Sequence, residues 1–364
     1  MRYIIVGTGN ISNTYVAALQ KLSGSELIGA VSRSERPLRT APGLPIWKSL
    51  AEVDQAFDAV ILATPNGLHH QGALQAAALG KHVLTEKPLD ISRAAMDEMN
   101  AACASAGVIL AVCYQRRTSP DNQTIKKLLA QNAFGKIFAA DLSAKFFRDQ
   151  AYYDSGAYRG TWAVDGGGPF MQQACHNIDI YTWFFGLPAK VTSVLGRFAH
   201  EMEAEDHGAA ILQHSNGMIG TIIASTAARP GFAARLEVHC EKGSFTLTDD
   251  RITFWDITGI SNPADTQFSY AHDGATSAAV TDTTAHETII RDFEMAARTG
   301  SEPLASAESA RLTTELILQI YANDTAKTIS TRRSDYPQGV IRQYTRKYRK
   351  FSHGKGVVSD YAFG

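Results

Sequence analysis

Tyr3-Ile4-Ile5-Val6-Gly7-Thr8-Gly9-Asn10-Ile11-Ser12 runs a short apolar stretch into two glycines and then into helix-forming sequence. An unbroken apolar run suits a strand buried on both faces. Gly7 permits a tight turn, and Gly9 lets the backbone approach a pyrophosphate. The helix expected over 10–21, opening with Asn10 and Ile11, offers free N–H groups and a positive dipole end. Ser12 stands where the dinucleotide fingerprint has its third glycine, and a small side chain suffices there for helix–strand packing. The plain alternative is a tight turn in an unrelated α/β domain.

Working outward, apolar strands are expected over 26–31, 58–63, 82–85 and 108–113, with helices over 68–79 and 92–106 and a loop through Pro37, Pro42, Gly43 and Pro45. Buried strands alternating with helices predict a doubly wound parallel sheet, a Rossmann domain over 1–119. The pattern changes at Ser119-Pro120. A helix over 121–130 precedes alternating runs at 136–147, 190–198, 208–213, 218–224, 235–240 and 251–255, and Asn216-Gly217 reads as a two-residue hairpin. An α+β domain over 120–330 with an open, largely antiparallel sheet follows. Helices over 170–185, 286–298 and 307–325 are available to cover one face. Residues 331–364 form a basic aromatic extension carrying Tyr336, Tyr344, Tyr348 and Phe351. It reads as a packed surface extension, or as an arm toward a neighbouring subunit or a phosphate.

Composition narrows the function. The chain has 364 residues, 45% hydrophobic and 20% charged, with 35 Lys+Arg against 36 Asp+Glu. A net charge of −1 argues against a nucleic-acid or anionic-membrane surface. No apolar run approaches the roughly 18 residues of a membrane span. Arg2 leads directly into strand sequence without the form of a signal peptide. Cys103, Cys113, Cys175 and Cys240 lie far apart. The expected setting is a reducing cytoplasm. No metal is expected: His200, Glu203 and His207 match no firm ligand template.

The end of the second strand, Val31-Ser32-Arg33-Ser34, selects the cofactor. It lacks the acid that would hold an adenosine ribose 2′-hydroxyl and repel a 2′-phosphate, and it presents a guanidinium between two hydroxyls. NADP(H) is therefore favoured, with NAD(H) the alternative if Arg33 merely stacks on adenine. Three more segments fall at strand ends, where open α/β sheets bind ligands: Thr64-Pro65-Asn66-Gly67-Leu68-His69, Glu86-Lys87-Pro88 and Tyr114-Gln115-Arg116-Arg117. Far downstream come Arg159-Gly160-Thr161-Trp162, then Gly166-Gly167-Gly168, then Gln172, His176 and Asp179, and Glu205-Asp206.

With these motifs in this order over roughly 1–330, the sequence resembles the glucose–fructose oxidoreductase / inositol dehydrogenase / rhizopine catabolism (Gfo/Idh/MocA) family. The resemblance implies a nicotinamide cofactor and redox chemistry at a secondary alcohol or ketone of a sugar, sugar derivative or cyclitol. It also implies a homodimer or homotetramer built through the open sheet. By resemblance, His176 is the general acid/base and Lys87 the oxygen-binding partner or proton shuttle, with a cis peptide before Pro88. That agrees with the chemistry, since oxidising an alcohol needs a proton acceptor and a partner for the oxygen. Thr64, Asn66, His69, Glu86, Lys87 and Gln115 are the expected cofactor contacts beyond the glycine loop; Asn66 could instead cap the next helix. Arg159, Trp162, Gln172 and Asp179 are the expected substrate contacts, with Tyr158 beside them; ordinary packing is the alternative for the aromatic–Arg cluster. One departure stands out. Many family dehydrogenases carry an Asp four residues before the histidine, where this chain has Gln172. An amide can orient an imidazole but lends no charge, and Asp179 could partly substitute. Two other functions stay open: a glycosidase of the same fold using bound NAD for transient oxidation, and a non-catalytic cofactor-sensing protein.

Overall fold

The first sheet grows from β1 (Arg2–Val6), which feeds α1 (Asn10–Lys21), β2 (Glu26–Val31) and β3 (Ile46–Trp47) on one side. On the other side come β4 (Ala59–Leu62), α2 (His69–Ala78), β5 (His82–Thr85), α3 (Arg93–Ser105) and β6 (Leu110–Val112). In the computed structural model, which describes residues 1–264 and 282–325, the strand order is β3-β2-β1-β4-β5-β6. Every pairing is parallel. The expected extension over 331–364 lies outside the described residues. The short β3 falls inside the Pro-rich stretch read as loop. Only two pairs hold it, Ala30↔Ile46 and Val31↔Trp47. It packs where Gly29 leaves room: a Cβ there would meet the Trp47 ring at 2.4 Å. The strand order reverses between β1 and β4, and that switch point opens a crevice at the C-terminal strand ends.

The chain then forms α4 (Pro120–Ala130), β7 (Ile137–Lys145), the short α5 (Gln150–Asp154), α6 (Cys175–Phe185), β8 (Lys190–Gly196), β9 (His207–Gln213), β10 (Ile219–Ser225), β11 (Arg235–Cys240), β12 (Gly243–Thr248) and β13 (Arg251–Ile257). Last come α7 (Thr284–Thr299) and α8 (Ala307–Ala322). The second sheet has seven strands, ordered β13-β12-β11-β7-β10-β9-β8. It is antiparallel except where β7 pairs with β10. Strand β12 is absent from the sequence reading, which passes from the run at 235–240 to the one at 251–255.

The β9–β10 hairpin closes through three residues rather than two. The His214 N–H donates to the Met218 carbonyl at 2.9 Å, and Gly217 adopts φ 87. A type I turn followed by a left-handed glycine matches the strand twist as well as a two-residue turn does. The helix expected over 170–185 begins only at Cys175, because Gly168-Pro169 first makes a turn: the Gly168 carbonyl accepts from Met171 N–H and Gln172 N–H.

Helices α6 and α8 cover one face of the second sheet. The other is open, with Val194, Ile211 and Ile219 more than half exposed. Helix α7 does not join that cover. Its apolar face of Ile289, Ile290 and Phe293 packs with Tyr3, Ile5 and Tyr15 in the core of the first sheet. Helical periodicity announces an apolar face but not the layer it meets. Met1–Asp324 is one compact unit. Among the described residues, no helix is long and apolar enough to cross a membrane.

Candidate active site

The crevice at the switch point deepens into a cavity of about 1330 Å³ that runs from the glycine loop to His176. That exceeds the roughly 300–1,000 Å³ usual for one small ligand, so it has room for a dinucleotide and a second small molecule. Gly7 turns at φ 102 with the carbonyl of Ala63 only 2.6 Å from where a Cβ would lie, which makes glycine obligatory. Around Gly9 no atom lies within 4 Å of a would-be Cβ, leaving an open cradle. No side chain caps α1, and Asn10 and Ile11 line the cavity beside its start. Ser12 is buried and its hydroxyl donates to the Gly9 carbonyl at 2.5 Å, bracing the turn. Thr64 Oγ1 and His286 Nδ1 are buried at the cavity without a hydrogen-bond partner among the described residues. Cradle, helix end and unpartnered polar atoms fit a nicotinamide dinucleotide.

At the end of β2, Ser32, Arg33 and Ser34 line the cavity as expected, and the fold adds Arg36, Arg39 and Lys48. Lys48 arrives through the unforeseen β3 and pairs with Glu35 at 3.3 Å. Ser32 and Ser34 are linked, hydroxyl to hydroxyl, at 3.3 Å. Arg33, Arg36 and Arg39 form no ion pair among the described residues.

The chemical end is built from loops of both sheets. Thr64, Asn66, Glu86, Lys87 and Gln115 all line the cavity. The Lys87-Pro88 bond is cis. Lys87 Nζ donates to the main-chain carbonyl of Gln172 at 2.9 Å. The Glu86 carboxylate accepts from Tyr15 OH at 2.7 Å and, with Cys113 and His286, forms a buried cluster whose polar atoms lie within 4.8 Å of one another. His69 does not reach the cavity. It is fully buried, its ring nitrogens 2.9 and 3.0 Å from the carbonyls of Pro88 and Thr64, so it ties two strand-end loops together.

His176, in the first turn of α6, lines the cavity with its ring edge-on to Tyr114, centroids 5.9 Å apart. The glycine triplet puts it there. A Cβ on Gly166 would lie 2.3 Å from Ile91, one on Gly167 2.1 Å from the Tyr321 hydroxyl, and one on Gly168 1.8 Å from the Glu205 carbonyl. The loop therefore lies flat against three elements before α6 begins. Glu205 locks it further, accepting from Gly168 N–H, Phe170 N–H and Tyr321 OH. Burial pushes the Glu205 carboxyl up to about 7.

Lys87, Gln172, His176 and Arg159 thus face one cavity. Two expected substrate contacts do not. Asp179 is fully buried in a two-bond pair with Arg117, at 2.7 and 2.9 Å, and also accepts from Thr313. It lies one helical turn past His176, with its acceptors engaged inside the core. Trp162 turns away, its ring edge-on to Tyr321, while its main-chain N–H donates to the Glu203 carboxylate. His200 is engaged as well, with Asp206 and the Arg148 carbonyl.

The residue that sequence reasoning missed is Asp165. It lines the cavity directly before the glycine triplet, and that position was the available signal. Its main-chain carbonyl accepts from Asn66 Nδ2 at 2.9 Å and Gln172 Nε2 at 2.7 Å, and its carboxylate accepts from Gly160 N–H. Burial raises its carboxyl to about 6, while the Gly160 hydrogen bond and the charges of Lys87 and Arg159 pull the other way. Arg148, Tyr152 and Tyr158 complete this end of the cavity.

Known proteins resemble this chain in sequence and fold. The chain is 27% identical over 259 residues to the oxidoreductase YdgJ of Escherichia coli, covering 67% of this chain and 70% of that one. It is 28% identical over 216 residues to the scyllo-inositol 2-dehydrogenase (NADP(+)) IolW of Bacillus subtilis, covering 59% of each. The crystal structure of the WlbA dehydrogenase of Bordetella pertussis, in complex with NADH and UDP-GlcNAcA, superposes with a TM-score of 0.77 at 28% identity, over 88% of this chain and 95% of that one. Residues 1–114 match the model of the oxidoreductase family with an NAD-binding Rossmann fold, and residues 122–246 match the GFO/IDH/MocA C-terminal domain. The chain belongs to the Gfo/Idh/MocA family of NAD-binding oxidoreductases.

Proposed function

We propose that this protein moves a hydride between NADP(H), or alternatively NAD(H), and a secondary alcohol or ketone of a sugar, sugar derivative or cyclitol. The observation that carries this is the presence of Lys87 and His176 in one cavity with the Gly7–Gly9 cradle. The nicotinamide ring, when bound, takes up or returns the hydride. The chain supplies the rest. Lys87, steadied by the Gln172 carbonyl, has two further N–H donors for the reacting oxygen. His176 takes the hydroxyl proton during oxidation and returns it during reduction. Gln172 cannot supply charge. Its amide holds the Asp165 carbonyl, and Asp165 brings a carboxylate to the same end of the cavity.

The preference for NADP(H) rests on Arg33 together with Arg36, Arg39 and Lys48, a cationic rim suited to a 2′-phosphate. The relatives go both ways, one named for NADP(+) and one bound to NADH. The open sheet face carrying Val194, Ile211 and Ile219 supports assembly as a homodimer or homotetramer. We place the protein in the cytoplasm. The test is a panel of sugars, inositols and keto-sugars with oxidised and reduced cofactor, followed at the reduced-nicotinamide absorbance band. Substrate-dependent change in that band is expected. Tight cofactor binding with no change on any substrate leaves a sensor, and glycosyl release without net cofactor change leaves a glycosidase.

A further inference from the structure

The strand ends of the first sheet gather three donor side chains to which the proposed hydride transfer gives no chemical step. Glu86 directly follows β5, Cys113 directly follows β6, and His286 sits in the first turn of α7. Folding alone joins them, since they stand far apart in the chain. All three are buried. One carboxylate oxygen, the thiol sulfur and one imidazole nitrogen lie within 4.8 Å of one another. Among the described residues, this is the one place where three His, Cys, Asp or Glu side chains come together so closely.

Their other engagements leave room for an ion. Glu86 accepts from Tyr15 OH at 2.7 Å and from the Lys87 main-chain N–H at 3.2 Å, but a carboxylate offers about four acceptor positions. Cys113 Sγ makes only a long contact with Gln115 Oε1, at 3.9 Å, and Tyr15 stands beside it. His286 is 2% exposed, and its Nδ1 is buried with no hydrogen-bond partner among the described residues. Burial holds the His286 pKa below its ordinary value, against the pull of the Glu86 and Asp282 charges. Neutral imidazole is the form that ligates metals. A buried ring nitrogen left unmet costs free energy until something small meets it.

We infer that Glu86, Cys113 and His286 form a binding site for a zinc-like divalent cation, which pins α7 to the ends of β5 and β6 at the wall of the cofactor cavity. Sulfur, imidazole nitrogen and carboxylate oxygen together suit a borderline-soft ion, whereas calcium and magnesium take oxygen ligands. Ligands about 2.0–2.3 Å from a tetrahedral ion stand about 3.5 Å apart, so side-chain rotations closing the triangle by about 1 Å complete the site. Cys113 binds as the thiolate, and its proton passes to solvent. An imidazole has two nitrogens, so the metal takes one and leaves the other for the cavity that His286 lines. The expectation of no metal concerns His200, Glu203 and His207, none of which belongs to this group. The inference stands apart from the redox reading, because it needs no turnover.

The full chain, stripped with a chelator and dialysed, is titrated with Zn²⁺ by calorimetry and with Co²⁺ by absorbance. One equivalent of each ion is expected to bind, Co²⁺ with the near-ultraviolet band of a thiolate–cobalt bond. Cys113→Ser should remove that band and weaken Zn²⁺ at least about a hundredfold, and His286→Gln should weaken Zn²⁺ at least about tenfold. Cys240→Ser, in the second sheet, should bind both ions as the parent does. Zn²⁺ at about a thousandfold excess over its Kd should raise the parent's melting temperature by about 5 °C, and Cys113→Ser should lose that rise. A metal-free melting temperature close to the parent's shows that a variant is folded; should Cys113→Ser fail that check, His286→Gln decides. No saturable binding of either ion, binding without the thiolate band, or parent-like affinity in a folded Cys113→Ser or His286→Gln overturns the inference.

Discussion

The two ends of the cavity are built in opposite ways. At the cofactor end, Gly7, Gly9, Asn10 and Ile11 come from one turn, and Ser32, Arg33 and Ser34 from the next strand end. Local sequence makes that end. At the chemical end, Lys87 comes from the turn after β5, Asp165 and Gln172 from the glycine-triplet loop, His176 from α6, and Arg148 and Arg159 from either side of α5. Only packing between layers brings them together. An end whose glycine cradle and cationic rim come from neighbouring strand ends tolerates change elsewhere, whereas an end assembled from five segments depends on each.

The largest effect should come from the chemical end. His176→Ala and Lys87→Ala should each slow hydride transfer by about a thousandfold, measured by single-turnover absorbance, and His176→Ala should leave cofactor affinity within about twofold by fluorescence titration. Next is a contrast between two glycines. Gly168→Ala forces a Cβ into the Glu205 carbonyl and should cost about 3 kcal/mol in urea unfolding. Gly9→Ala meets no protein atom, so it should leave stability within about 1 kcal/mol and instead weaken NADPH binding about tenfold. If Gly9→Ala unfolds the protein, or Gly168→Ala is silent, the contrast between the ends fails. Smaller again, Arg33→Ala should weaken NADPH about tenfold and NADH less than about twofold; equal losses remove the case for NADP(H).

The smallest effect is in pH. Burial raises Asp165 to about 6 and Glu205 to about 7. Both folded values exceed the unfolded ones of about 3.9 and 4.3. Their neutral forms therefore favour the fold below pH about 4, and that contribution is lost as pH rises through 6 and 7. Asp165→Asn and Glu205→Gln should flatten the decline of melting temperature between about pH 4 and 7. Asp165→Asn should also remove an inflection near pH 6 from the kcat/KM profile.

The same contrast explains what the sequence disclosed. The glycine loop, β2 and α1 are legible because a strand, a turn and a helix start carry their own local chemistry. The opposite holds for Asp179 and Trp162. Each sits beside a residue that lines the cavity, but Asp179 turns into the core to meet Arg117 and Trp162 turns outward to Tyr321. Motif proximity does not reveal side-chain direction. Asp165 was passed over because nothing local distinguishes one Asp before a glycine run; its meaning comes from Asn66 and Gln172, brought from far along the chain. Helix α7 shows the same limit at the level of layers: its apolar face was visible, but its partner, the first sheet, was not.

The central claim is that Lys87 and His176 act on one oxygen, and a double-mutant cycle on the hydride-transfer step tests it most directly. Shared action predicts that Lys87→Ala/His176→Ala is about as slow as the slower single variant, because groups working as a unit are non-additive. If the two losses multiply in full, the residues act independently and the claim is contradicted.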